Sequence, residues 1–247
     1  MSLVGMMRVK NEDRWIERVA TSILPACNRL IIFDDHSTDR TVEICRGLGS
    51  KVEVIESPYA GLDEARDKNY LLARAGSLAP EWILHIDGDE EMEPGGCEEI
   101  AHLITRPDGP DAYQFQILYL WDREDQIRVD RWYKDFRRPS LFRARRGQQF
   151  RSNNGAGFHC GNIPSGMNSC GNCGVRLRHY GYMMREDRIR KYEWYNAPDK
   201  QPVPPVEDGY RHMVVGDLFP ATSAFRWAGP LELRDLPAAS GCREVRA

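Results

Sequence analysis

Apolar residues in the first ninety positions follow two alternating patterns, short continuous runs and helical spacing. The continuous runs predict four strands, at Ser2–Val9, Leu30–Phe33, Val52–Ile55 and Trp82–Ile86. The helical spacing predicts three intervening helices, over Ile16–Ile23 before Pro25, around Val42, Cys45 and Leu48, and over Leu62–Ala75. Ser37 or Thr38 is expected to cap the second helix. This alternation predicts an α/β fold with a mostly parallel sheet flanked by helices.

The second half of the chain has a weaker pattern. Alternating apolar residues predict a strand over Tyr113–Tyr119 with a polar side, and a shorter strand over Val175–His179. A helix is expected over Glu186–Tyr195. The Gly- and Asn-rich residues 153–162 are typical of an irregular active-site loop. Residues 206–247 are expected to form a loosely structured cover and tail.

Composition is that of a soluble globular protein. Of 247 residues, 41% are hydrophobic and 29% charged, and the net charge of −3 indicates no particular class of partner. No apolar run has the length of a membrane span, and the N-terminus lacks the features of a signal peptide. Seven cysteines, mostly scattered singly, suit a reducing compartment. We therefore expect a cytoplasmic protein with no transmembrane segment.

Four carboxylates follow the fourth predicted strand within five positions: Asp87, Asp89, Glu90 and Glu91. Clustered carboxylates repel one another and are costly to bury, so something must compensate their charge. A divalent cation with oxygen ligands is the natural compensation. The carboxyl end of a strand is also where ligands bind in open α/β sheets. A solvated acidic turn is the alternative interpretation.

Four motifs occur in order along this first part of the chain. They are Val-Lys-Asn-Glu at 9–12, Phe-Asp-Asp-His-Ser-Thr-Asp-Arg-Thr at 33–41, Glu-Ala-Arg-Asp-Lys-Asn at 64–69 and Ile-Asp-Gly-Asp-Glu at 86–90. With this order and spacing, the chain resembles family 2 glycosyltransferases of the GT-A fold. The resemblance implies an inverting enzyme that uses a nucleotide-diphosphate sugar, with Mn²⁺ or Mg²⁺ on the diphosphate. His36 stands where the family commonly has glycine, a departure that should not disable the turn.

The resemblance implies a nucleoside pocket at the ends of the first two strands. Residues from Arg8 to Glu12, Asn11 among them, would line this pocket, and Asp35 would accept a hydrogen bond from the base. A carboxylate is able to accept the imino N–H of uracil or guanine, whereas adenine has no such donor. A UDP- or GDP-sugar is therefore the expected donor.

The resemblance also implies contacts to the rest of the donor. Arg66 would lie near the diphosphate, whereas Lys68 is expected on the helix surface. Asp87 would address the ribose and, with Asp89, the metal. His179 resembles the late metal-binding histidine of GT-A enzymes, and imidazole is an acceptable manganese ligand beside carboxylates. A hydrogen-bonded loop histidine is the alternative for His179.

An inverting transfer needs a base that takes the acceptor's proton. The family usually provides an Asp or Glu before the late histidine, but this chain has none from Arg151 to Arg185. Related sequences often carry His-Glu where this chain has His159-Cys160. The candidates that remain are His159, or Glu186 or Asp187 from the later helix.

Residues 128–151 carry nine cationic side chains against two carboxylates, interleaved with aromatic residues. Such a run suits an anionic acceptor, an anionic membrane surface or nucleic acid. A solvated rim with its aromatic residues turned inward is the alternative interpretation. Peripheral contact with an anionic surface is therefore a hypothesis. A zinc site at Cys160, Cys170 and Cys173 is also open, although their spacing fits no standard pattern.

The sequence favours a metal-dependent inverting glycosyltransferase. Residues 1–110 are predicted to bind the nucleotide sugar, residues 111–200 to form the acceptor and catalytic half, and residues 201–247 to form a Pro-rich cover and tail. The acceptor is open among a glycan, a lipid-linked molecule, a peptide and a small molecule. The main alternative is a catalytically silent relative that binds a sugar nucleotide or an anionic polymer.

Overall fold

The computed structural model describes residues 1–152, 160–197 and 207–239, and it divides the chain into two compact units. The first unit contains Met1–Phe115 and Arg138–Arg176 with Ala239. The second unit contains Gln116–Arg137 and Leu177–Ala238. The chain therefore passes from one unit to the other more than once, whereas the sequence analysis divided it into consecutive segments.

A parallel sheet forms the centre of the first unit. Its strands are β1 (Leu3–Val9), β2 (Arg29–Asp34), β3 (Val52–Glu56) and β4 (Trp82–His85). β1 pairs in parallel with both β2 and β4, and β2 pairs in parallel with β3. Each strand agrees with its predicted bounds to within one residue. The predicted α/β fold with a mostly parallel sheet is confirmed.

The helices of the first unit are α1 (Ile16–Ile23), α2 (Thr41–Gly47), α3 (Glu64–Gly76) and α4 (Gly96–Ile104). On α3, Leu71 and Ala75 pack in one core cluster with Met6 of β1. Asp63 caps α3 by accepting a hydrogen bond from the Arg66 backbone N–H. The predicted cap of α2 is wrong, because this helix begins after Arg40 with no side-chain cap.

Three strands complete the sheet structure of the first unit. β8 (Arg137–Arg143) runs antiparallel to β4, with Leu84 opposite Leu141. The short strand β5 (Glu90–Met92) pairs with β9 (Cys170–His179). β9 is longer than the predicted strand and, like β6 (Ala112–Trp121), contributes residues to both units.

The second unit has an antiparallel ribbon and one longer helix. Its ribbon is formed by the end of β6, β7 (Arg123–Arg128) and β10 (Leu233–Asp235), and its helix is α5 (Arg185–Asn196). Met213, Val214 and Ala228 are fully buried. Several described residues of 207–239 are therefore buried, most others are exposed or half-buried, and the expected loose cover stays a prediction. No helix of the described ranges has the length and apolar character that a membrane crossing needs.

Candidate functional site

The loops that follow β1 and β2 are joined by hydrogen bonds. Asn11 N–H donates to Ser37 Oγ (2.8 Å), and Asn11 Oδ1 accepts from Thr38 N–H (2.7 Å). Glu12 N–H donates to Thr41 Oγ1 (2.8 Å). Asn11 has a φ of 55°, a left-handed conformation that asparagine tolerates. Asn11 and Glu12 therefore lie at the strand ends as expected, and the Asn11 side chain braces the neighbouring loop.

His36 occupies a left-handed position in the loop after β2. Its φ is 56°, a left-handed conformation that glycine adopts without strain. Its Nε2 lies 2.6 Å from Tyr59 O and donates to this carbonyl, which only accepts. The turn therefore forms with histidine in place of glycine.

Arg8 lies between two carboxylates at the end of β1. Its Nη2 is 2.7 Å from Asp35 Oδ2, and its Nε is 2.9 Å from Asp67 Oδ2. Asp67 is fully buried, and its Oδ1 is 2.8 Å from Arg66 Nη2. Lys10 Nζ lies 3.6 Å from Asp35 Oδ2. The structure thus brings Asp35, Arg8 and Arg66 together, and two arginines compensate the buried charge of Asp67.

Arg66 also holds the loop between β3 and α3. Its Nη2 donates to Gly61 O (2.8 Å) and its Nη1 to Ala60 O (3.2 Å). Its guanidinium carbon lies 4.5 Å from the centroid of the Tyr59 ring. Arg66 is half-buried by these contacts, so it is more than an exposed helix residue.

Lys68 does not lie on the helix surface, and that expectation is wrong. Its side chain is buried, and its Nζ donates to Cys160 O (3.0 Å) and Asn162 Oδ1 (3.1 Å). Glu64, one turn earlier on α3, accepts a hydrogen bond from Cys160 N–H (3.1 Å). These contacts fasten residues 160–162 to α3, because a buried ammonium must find acceptors.

Two further side chains hold the segment around residues 150–162. Asn69 on α3 donates to Phe150 O (3.0 Å) and accepts from Phe150 N–H (2.8 Å). His85 of β4 is fully buried and its Nδ1 donates to Asn162 O (3.0 Å). Burial lowers the pKa of His85 to about 3, so this imidazole is neutral at physiological pH. The chain on both sides of residues 153–159 is thus tied to the sheet and to α3.

Arg138 supplies a counter-charge to the acidic turn after β4. Its Nη1 lies 2.9 Å from Asp87 Oδ2, and its Nη2 pairs with Glu90 Oε2. Continuing the β4–β8 register by three residues from Leu84 and Leu141 places Arg138 beside Asp87. Burial raises the pKa of Glu90, which is fully buried, and the guanidinium opposes this effect. An arginine therefore supplies part of the positive charge that the acidic turn was expected to receive from a divalent ion.

Gly88 separates the two aspartates because no larger residue fits there. A Cβ at this position would lie 2.8 Å from Val9 Cγ1 and 3.2 Å from Glu12 Cγ. The turn therefore approaches the end of β1 closely. Asp87 is accessible at its side chain, whereas Asp89 is buried.

The chemistry of the acidic turn fits a divalent cation, because Asp87 and Asp89 offer carboxylate oxygens. Among the described residues, however, no three His, Cys, Asp or Glu side chains are grouped as a metal site would require. A metal at Asp87 and Asp89 therefore stays a prediction, and zinc at Cys160, Cys170 and Cys173 gains no support.

The remaining predicted residues belong to the second unit or fall outside the described ranges. The His179 ring packs against Tyr119 and Tyr182, with centroids 4.9 and 4.8 Å away. Glu186 is exposed at the start of α5, whereas Asp187 is buried and pairs with Arg190 (2.9 Å). His159 lies outside the described residues. None of these placements tests the predicted roles.

The basic segment 128–151 is not one exposed surface. Arg128 is fully buried, with its Nε 2.6 Å from Asp130 Oδ1. Arg138 pairs with the acidic turn, and Arg145 pairs with Asp111. Arg131, Lys134 and Arg146 are exposed. Only part of the segment is therefore available to an anionic surface.

The sequence pattern did not identify Asp67 as a site residue, and it predicted surface positions for Lys68 and Arg138. Asp67 lies within the Glu-Ala-Arg-Asp-Lys-Asn motif, one turn from Glu64, which was the available signal. Lys68 is four residues before Leu72 and three before Leu71, so the apolar face of α3 already included its position. Arg138 carried no local signal, because its partners precede it by about fifty residues.

Known proteins resemble this chain in family and in fold. The model of the family described as "Glycosyl transferase family 2" matches residues 6–180. A protein of Rickettsia bellii named "Uncharacterized glycosyltransferase" is 31% identical over 122 residues, which cover 49% of this chain and 39% of the relative. A Rickettsia felis protein of the same name is 36% identical over 120 residues, 47% of this chain and 39% of that protein. The match thus spans well under half of these relatives' length.

Solved structures share the fold. The S. aureus TarS 1–349 structure aligns with a TM-score of 0.51 at 14% identity, over 80% of this chain and 66% of that one. The same protein in complex with UDP-GlcNAc aligns with a TM-score of 0.50 at 15% identity, over 88% of this chain and 72% of that one. At this level of identity the likeness is one of fold.

Proposed function

The chain belongs to glycosyl transferase family 2, and from this premise we propose that it transfers a sugar from a nucleotide-diphosphate donor to an acceptor. The observation that carries the proposal is a row of alternating charges, in which Asp35 and Arg8 lie at the carboxyl ends of β2 and β1, and Asp67 and Arg66 lie on α3. This row offers a carboxylate that is able to accept a hydrogen bond from a nucleobase, and cations that are able to neutralise a diphosphate. It lies at the edge where α/β sheets bind ligands.

Asp35 is the residue proposed to select the nucleobase of the donor. Arg8 holds one carboxylate oxygen of Asp35, and this fixes the plane in which the other oxygen accepts a hydrogen bond. Uracil and guanine have an imino N–H for this acceptor, and adenine does not. The UDP-GlcNAc named with the TarS structure makes a UDP-sugar the first donor to test.

Asp87 and Asp89 are the residues of the first unit that would hold a divalent ion, and the metal-binding role of His179 stays a prediction. When bound, the ion supplies positive charge to the diphosphate as it leaves. Arg66 would share this task from α3, because the leaving group carries charge that has to be neutralised. In the proposed inverting step, the acceptor attacks the anomeric carbon, a base takes the acceptor's proton, and the bonding electrons depart with the nucleotide diphosphate.

The general base that takes the acceptor's proton is proposed to be His159, with Glu186 and Asp187 as alternatives.

The acceptor remains open among glycans, lipid-linked molecules, peptides and small molecules. Peripheral contact with an anionic surface is retained as a proposal for the exposed cations of 128–151. A cytoplasmic location also stays a proposal, based on the cysteine pattern.

The test is turnover of UDP-, GDP- and ADP-sugars with Mn²⁺, in the presence and absence of an acceptor mixture. We expect release of UDP or GDP, faster when acceptor is added. An Asp35→Asn variant serves as the matched negative control, because it keeps the side-chain shape. A folded protein that binds UDP but releases no nucleotide from any donor would contradict the proposed function.

A further inference from the structure

We propose that Arg138 is the built-in counter-charge of the acidic turn, and that a divalent cation binds Asp87 in competition with this guanidinium. The proposal rests on the metal site that is part of the proposed function. It makes Arg138 a residue that sets the metal affinity of the site.

The acidic turn is a closed unit with Arg138 as its cation. Glu90 N–H donates to Asp87 O (3.2 Å), and Asp87 N–H lies 3.3 Å from Glu90 Oε2. The guanidinium then bridges the two side chains, with Nη1 on Asp87 and Nη2 on Glu90. A planar guanidinium suits such a bridge, whereas an ammonium reaches two carboxylates less well.

The two contacts of Arg138 differ in accessibility. The Glu90 side chain is 0% exposed, the Arg138 side chain 21% and the Asp87 side chain 37%. Glu90 is therefore the buried anchor of the guanidinium, and Asp87 is its accessible contact. Breaking the Asp87 contact leaves the buried Glu90 charge paired, so the exchange does not strand a charge in the interior.

A divalent ion at Asp87 would share one carboxylate with a cation 2.9 Å from its Oδ2. Repulsion between the ion and the guanidinium then weakens binding, since both lie within a few ångströms in a partly buried place. Asp89, which is buried next to this turn, adds the negative charge that makes the exchange feasible. The affinity of the protein for the metal alone is therefore expected to be low.

The experiment is calorimetric titration of Mn²⁺ alone into wild type, Arg138→Met and Arg145→Met. Arg145→Met is the matched control, because it removes the same charge from an Arg–Asp pair elsewhere in the first unit. Arg138→Met is expected to bind Mn²⁺ about tenfold more tightly or better. Arg145→Met is expected to bind as wild type does.

Arg138→Met leaves Glu90 buried without its cation, which endangers folding. The double variant Arg138→Met/Glu90→Gln removes both charges and keeps the side-chain volumes similar. It is compared with Glu90→Gln alone, because these two proteins differ only in the guanidinium, and it is expected to bind Mn²⁺ more tightly than Glu90→Gln. Adding Asp89→Asn to the double variant is expected to abolish this gain.

A folded double variant that binds Mn²⁺ no more tightly than Glu90→Gln would overturn the role of Arg138. Turnover of UDP-sugars by wild type separates this result from failure of the proposed function. If wild type turns over UDP-sugars and the variants bind Mn²⁺ with unchanged affinity, only the proposal for Arg138 is contradicted. If wild type shows no turnover and the double variant binds Mn²⁺ more tightly, only the proposed transfer activity is contradicted.

Discussion

Arg8 Nη2 lies 2.7 Å from Asp35 Oδ2, so the carboxylate proposed to read the base is already held by a cation from the neighbouring strand. Both side chains are largely buried. The pair therefore fixes the orientation of Asp35 before any nucleotide arrives, and a preorganised acceptor discriminates between bases better than a mobile one.

Replacing Asp35 by Asn is expected to remove base selectivity. In wild type, UDP and GDP should raise the melting temperature by several degrees, and ADP far less. Asp35→Asn should respond weakly to all three, because the amide loses the charge and the Arg8 pair. Glu43→Gln removes a carboxylate from an exposed ion pair and serves as the control. Equal shifts for the three nucleotides in wild type would contradict base reading by Asp35.

Lys68→Met is expected to destabilise the protein by about 2–4 kcal/mol, because buried acceptors on residues 160–162 lose their donor. Arg74→Met on the same helix removes a partly exposed pair with Glu53, which solvent screens, and should destabilise the protein much less. Urea denaturation measures both. Equal small losses would mean that Lys68 contributes little to holding this segment.

Stability is expected to fall between pH 6.5 and pH 4 through His212 in the second unit. Burial, assisted by the Arg128 charge, lowers the pKa of His212 to about 4, while Asp208 and Asp130 oppose the shift. The unfolded state, with a pKa of about 6.5, binds the proton first as pH falls, so acid favours unfolding by up to about 1.4 kcal/mol per pH unit.

His212→Phe keeps a ring at this place and removes the titration. The difference in unfolding free energy between wild type and His212→Phe, measured at pH 7.5 and pH 5, should therefore change in favour of the variant at the lower pH. A difference that is the same at both values would show that His212 does not titrate in this range.

The pH dependence of turnover should identify the general base. If His159 takes the acceptor's proton, the rate falls below about pH 6 with a slope of one ionisation, because a protonated imidazole accepts nothing. His159→Ala should then lose roughly 10² to 10⁴ in turnover with donor binding nearly unchanged. If Glu186 or Asp187 acts instead, the acid limb lies near pH 4 to 5, and His159→Ala has a mild effect.

Local pattern was enough to predict the four parallel strands and the helices between them. A buried parallel strand is a continuous apolar run, and a covering helix repeats its apolar residues every three to four positions, so both are visible in a short window of sequence. Polar residues at the ends of β1, β2 and β4 were recognised for the same reason. The predicted cap of α2 failed because Ser37 instead accepts a hydrogen bond from Asn11 of another loop.

By itself, the sequence determined the four parallel strands, the helices between them and the family, and it predicted the edge of the sheet at which a site is proposed. Only the tertiary structure decided which charges meet there. Arg138 and Asp87 are separated by 51 residues, and Lys68 and Cys160 by 92. No local period connects such pairs; strand register and burial bring them together. Burial makes each pair matter for stability, because an unpaired charge costs much free energy in the interior and little in solvent.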